Sequence, residues 1–90
     1  MTTLENVLHE VEQREKELAA LSKLWEVTVG EHTPSTVQFS TWLSLHGFAA
    51  VVEGIRVAGR KFQNMDSKMG AIHLVRFTSS VMNFRRGKAA

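Results

Sequence analysis

The chain has 90 residues, of which 43% are hydrophobic and 22% charged, a globular balance that excludes wholesale disorder and limits the fold to one small domain, with or without an extended arm. Cysteine is absent, which excludes disulfide staples, thiolate metal sites and a cysteine nucleophile. The formal charge of +2 conceals a division: residues 1–45 carry seven acids and three bases, net −4, whereas residues 46–90 carry two acids and eight bases, net +6.

Such a split suits one half that solvates or pairs with protein and another that meets a polyanion; mutual neutralisation of the halves is the alternative. The start, Met1-Thr2-Thr3-Leu4-Glu5-Asn6, lacks the basic-then-apolar profile of a signal peptide, and no apolar run is long enough to span a bilayer. A cytoplasmic protein without membrane contact is expected.

The first predicted element runs from about Thr3 to Val29 without glycine or proline. Leu4, Val11, Leu18 and Trp25 recur every seventh residue, Val7 and Leu21 fill the paired positions, and Leu8 and Leu24 widen the stripe. Arg14 interrupts the second position, and Glu10, Glu15 and Glu17 flank the seam. This pattern predicts an amphipathic helix, barely long enough for a coiled coil. Its stripe either pairs with a second copy or packs on the rest of the chain. Leu4, Val7, Val11, Leu18, Leu21 and Trp25 are therefore the candidate self-association residues, giving a homodimer or other homo-oligomer. The expected division is an acidic helical arm over 1–32 and a basic three-helix domain over 33–90.

Gly30 to Pro34 punctuates the chain. Pro34 followed by Ser35-x-x-Gln38 reads as a helix start with a capping pair. Val37, Phe39, Trp42, Leu43 and Leu45 occupy the second helix, which His46-Gly47 closes. The third covers about Phe48 to Gln63, with Phe48, Val51, Val52, Ile55, Ala58 and Phe62 on one stripe. Gly54 and Gly59 each cost about 1 kcal/mol of helix propensity against alanine. Gly59 lies on the apolar arc, where missing bulk permits close helix approach. The last helix is predicted from about Lys68 to Arg86, with Gly70, Leu74, Phe77, Val81 and Phe84 buried, and with fraying beyond Gly87. No segment alternates as a strand does, so the fold is all-α: a small bundle of about four helices led by a long amphipathic one.

Catalytic patterns are missing. His9, His32, His46 and His73 are scattered one per segment, and Gln13 stands where a zincin-like pattern starting at His9-Glu10 needs its second histidine. There is no nucleophile elbow, phosphate-binding loop or dinucleotide fingerprint. The expectation is a non-enzymatic protein with no cofactor and no metal.

The chemistry-bearing pattern is on the last helix, where Arg76, Ser79, Asn83 and Arg86 recur at helical spacing opposite the apolar arc. Guanidinium, hydroxyl and amide groups are the ones that contact phosphate and sugar oxygens. Arg85 and Lys88 extend the positive charge, and Arg60, Lys61 and Lys68 cluster around the preceding connection. Arg56 shares a face with Arg60, but Glu53 lies one turn before it and is an alternative partner. Trp25 and Trp42 fall on apolar stripes and suit core packing better than base stacking.

With these helices placed, the segment from about Pro34 to Arg86 resembles the C-terminal domain of DnaD-type primosomal replication proteins. Pro34, Trp42, Gly47 and Gly54-Ile55 with Ala58 sit at steps comparable to that family's proline-capped helix, its glycine and its apolar helix. Phe77 and Val81 resemble the start of the family's final aromatic pattern, with phenylalanine for tyrosine, and Arg85 stands where its tryptophan would be. The resemblance implies a DNA-binding, helicase-loading context, with DNA favoured over RNA, as in a replication-accessory or mobile-element factor. The alternative is an adaptor or inhibitor that binds a protein partner through its acidic first helix or its basic face.

Overall fold

The computed structural model describes residues 3–89, with side chains described as far as Phe84. Four helices follow in order: α1 (Thr3–Thr28), α2 (Thr36–His46), α3 (Phe48–Gln63) and α4 (Ala71–Ala89), with no strand among the described residues. The all-α expectation holds, and the middle boundaries fall close to where the punctuation puts them. Ser35 caps α2 by accepting the Gln38 amide at 3.1 Å. Gly47, at φ 85°, ends α2 with its amide on the Leu43 carbonyl and starts α3 at once. That left-handed conformation is why glycine stands there.

One core joins all four helices. Leu21, Trp25 and Val29 of α1 and its end meet Phe39, Trp42 and Leu43 of α2, Val51, Ile55 and Phe62 of α3, and Leu74 and Met82 of α4. An aromatic cluster lies at the α1–α2 contact. Trp25 and Trp42 stack at 6.3 Å between centroids, and Phe39 sets its edge against both, at 6.3 and 5.9 Å. The Trp25 Nε1–H donates to the Glu31 carbonyl at 2.7 Å, tying the turn after α1 to the core.

This core spans the expected division at residue 32. Leu18, Leu21 and Trp25, read as intermolecular contacts, face their own chain: Leu21 and Trp25 are buried and Leu18 packs on the same cluster. The apolar stripe of α1 therefore splits by length. A helix of 26 residues reaches about 39 Å, more than α2 and α3, the two helices packed on it, cover. Every residue from 3 to 13 is exposed, and the longest dimension of the molecule is 53 Å. Arg14, the break in the heptads, marks the edge: its Nη1 makes a long hydrogen bond of 3.5 Å to the Ser40 carbonyl of α2.

Two glycines set the spacing around α3. A Cβ on Gly59 would stand 2.9 Å from Thr28 Cβ and 3.0 Å from the Thr28 carbonyl oxygen, so α1 and α3 touch backbone to backbone, as the apolar-arc position implied. Gly54 faces α4 instead, where a Cβ would fall 2.7 Å from Met82 Cγ. With the short connection at 64–70, this contact makes α3 and α4 an antiparallel pair.

The last helix departs most from expectation. It begins at Ala71 and runs to Ala89, leaving Lys68, Met69 and Gly70 in the connection. Gly70 and Phe84, expected inside, are exposed; Thr78 and Met82 are the buried residues on that arc with Leu74. The Thr78 hydroxyl donates to the Leu74 carbonyl at 2.8 Å, which makes its burial tolerable. In α2, Val37 and Leu45 also turn to solvent, leaving Phe39, Trp42 and Leu43 inside.

Candidate nucleic-acid interface

The exposed face of α4 follows from the arc it buries. With Leu74, Thr78 and Met82 inward, Ile72, His73, Arg76, Ser80 and Asn83 are left outward. Arg76 and Asn83 thus share a solvent-facing surface as their spacing implied. Ser79 does not complete it in the expected way. It is half-buried, and its Oγ accepts the Trp42 indole N–H at 2.8 Å, so the hydroxyl satisfies a buried donor at the α2–α4 contact. Ser80, one position on, supplies the exposed hydroxyl, and His73 adds an imidazole. The spacing Arg76–Ser80 by four marks the same face; what hid it was the assumed position of the buried arc, which the structure rotates toward Thr78 and Met82.

Arg60 and Lys61 are exposed in the last turn of α3, where cations oppose the negative helix end. The antiparallel pairing places that turn at the same end as the first half of α4, near the level of Arg76. The two side chains diverge by about 100° around the helix axis, so Arg60 lies on the α1 side and Lys61 toward α4. Lys68 is exposed but engaged: its Nζ donates to the Phe62 carbonyl at 2.6 Å and sits 5.0 Å from the Phe62 ring centroid. It closes the end of α3 and reinforces that turn's charge from a fixed position. Arg85, Arg86 and Lys88 belong to the last turns of α4, but their side chains lie outside the described residues.

No acid occurs from residue 67 to residue 90, while five bases do, so nothing negative on α4 itself offsets Arg76. Trp25 and Trp42, at 0% and 2% exposure, are core residues and offer no stacking platform. Neither the family models, nor the curated proteins, nor the solved structures contain a match to this chain.

The surface presents a guanidinium, a hydroxyl and an amide side by side on one helix face. Among the described residues no cluster of three His, Asp or Glu is placed to hold a metal ion, and no helix is long and apolar enough to cross a membrane. The second exposed feature is the free end of α1. Leu4, Val7, Leu8 and Val11 line one side of it, with Leu4 at 68% exposure, among Glu10, Glu12 and Glu15. Of the predicted self-association residues, only Leu4, Val7 and Val11 remain available to a partner.

Proposed function

We propose that this protein is a small, non-enzymatic nucleic-acid-binding factor, with DNA as the favoured ligand, that lays the outer face of α4 along the phosphate backbone. The observation that carries this reading is the solvent-facing set Arg76, Ser80 and Asn83 on a helix whose segment, from residue 67 on, has no acid. An ordinary solvated helix mixes acids with bases, which would repel phosphate. Arg76 grips a phosphate with its guanidinium fork, Ser80 and Asn83 add short hydrogen bonds, and Arg60, Lys61 and the basic residues 85, 86 and 88 widen the field. Lys68 contributes charge from the connection. The resemblance of residues 34–86 to DnaD-type C-terminal domains supports a replication-accessory or mobile-element role. Binding by shape and charge fits better than base readout, since no helix-turn-helix signature accompanies the stripe.

A second reading rests on the exposed end of α1: an adaptor or oligomer in which Leu4, Val7, Leu8 and Val11 pack against a protein, a second copy of the chain included. Charge reversal separates the two. In fluorescence anisotropy with labelled single- and double-stranded DNA and RNA, affinity should fall steeply between about 50 and 300 mM salt. Arg76→Glu should weaken binding at least about tenfold at low salt, more when combined with Arg86→Glu. Reversing Glu10, Glu15 and Glu17 to lysine should leave affinity undiminished and change only self-association, read by sedimentation equilibrium. If no nucleic acid binds even at low salt, the first reading is lost and the arm becomes the functional surface.

A further inference from the structure

Where the ends of α1 and α3 meet, an open depression is lined by Thr28, Arg56, Gly59, Arg60, Gln63 and Asn64. It owes its floor to Gly59, whose missing side chain lets α3 sit directly on the Thr28 backbone. Arg56 and Arg60 stand one helical turn apart on the rim, both exposed. Two guanidinium forks so placed suit the oxygens of one phosphate group. Their methylene stems, the Gly59 backbone and the Thr28 side chain give the depression a largely apolar lining.

The two amides on the rim have fixed orientations. Gln63 Nε2 donates to the Thr28 carbonyl at 3.3 Å and the Val29 carbonyl at 3.1 Å. Both acceptors are carbonyls, so only the nitrogen can face them, and the amide oxygen is turned the other way. Asn64 obeys the same logic, with Nδ2 on the Arg60 carbonyl at 2.8 Å. The rim thus combines two cationic forks with two amides whose oxygens are turned away from those carbonyls. Inorganic phosphate would use only the forks. A ligand that uses everything carries an anion, a flat body with apolar faces, and an amino group that donates.

We infer that this depression is a nucleotide pocket that takes one phosphate and one amino-bearing base of a single-stranded nucleic acid. Arg56 and Arg60 hold the phosphate, and the Gln63 and Asn64 oxygens accept from the base. The inference rests on the nucleic-acid reading of α4 and extends it, adding a strand type and a second contact on the α1 side of α3.

The test titrates adenosine monophosphate, ribose phosphate and inorganic phosphate separately into the isotope-labelled full chain, following backbone amides by NMR. The monophosphate should shift the amides of Thr28, Gly59, Arg60, Gln63 and Asn64. It should saturate them at about tenfold lower concentration than ribose phosphate, which lacks the base. Arg56→Gln combined with Arg60→Gln should abolish that saturation; both residues are exposed, so helical circular dichroism should be unchanged. Equal responses to the monophosphate and to ribose phosphate, or shifts confined to α4, would overturn the pocket. A single-stranded oligonucleotide tested in parallel tells the two ideas apart. If Arg76→Glu weakens it and the Arg56/Arg60 pair does not, the α4 reading stands and the pocket falls. If no oligonucleotide binds while the monophosphate saturates the pocket, the α4 reading falls and the single-strand assignment is overturned with it, leaving a site for a free nucleotide.

Discussion

Replacing Trp25 by alanine is expected to remove about 3–5 kcal/mol of stability, enough to leave much of a small domain unfolded at room temperature. Its indole is fully buried, stacked on Trp42 and met edge-on by Phe39, so truncation opens a cavity bounded by two more rings. The Glu31 carbonyl would also lose its indole donor at 2.7 Å, loosening the turn that leads into α2. Trp25→Phe keeps most of the apolar area and is expected to cost less, on the order of 1–3 kcal/mol. Val11→Ala, on the same stripe of α1 but 49% exposed, should stay within about 0.5 kcal/mol of the parent. Urea unfolding followed by circular dichroism measures all three. The loss at Trp25 should not depend on protein concentration, because its partners are in its own chain. A concentration-dependent loss would return Trp25 to an intermolecular seam.

The same change at two glycines of α3 should give different results. Alanine gains about 1 kcal/mol of helix propensity at either position. At Gly54 the new methyl meets Met82, 2.7 Å from Cγ and 2.9 Å from Cε. A methionine has three rotatable bonds with which to withdraw, so propensity and strain should offset each other within about 1 kcal/mol. At Gly59 the methyl meets Thr28 itself, 2.9 Å from Cβ and 3.0 Å from the carbonyl oxygen. Backbone cannot move aside without shifting all of α1, so Gly59→Ala should destabilise by about 1–3 kcal/mol despite its propensity gain. Denaturant midpoints for the two variants decide the matter. Equal midpoints would mean that α1 is not held against α3 as closely as described.

Much of the fold could be read from local signals. Ser35 with Gln38 three residues later marked the start of α2, and His46-Gly47 its end, because capping and positive φ are properties of a few adjacent residues. The stripe through Val51, Ile55, Ala58 and Phe62 gave both the extent and the inner face of α3. On α4 the same method misplaced the inner face. Phe84 is apolar yet exposed, whereas Thr78 is polar yet buried, because its hydroxyl bonds to the preceding turn. A threonine so satisfied costs little to bury, and composition along one helix does not reveal that. The proposed interface inherits this limit: Arg76 and Asn83 were legible from spacing, but the exchange of Ser79 for Ser80 depended on where the Trp42 indole found its acceptor.

By itself, the sequence determined the helical class, the boundaries of α2 and α3, the charge division, and the acid-free stretch from residue 67 on. These depend on periodicity, capping and charge, which act within a turn or two of the chain. Only the tertiary structure decided how far the core extends along α1. Leu4 and Trp25 occupy equivalent heptad positions, and nothing local distinguishes the residue at 68% exposure from the one at 0%. The difference comes from the length of α2 and α3, which cover one end of α1 and run out before the other. The depression above Gly59 was settled in the same way. Its arginines and amides belong to α3 and its end, but its floor is the Thr28 backbone of α1, and only packing brings the two together.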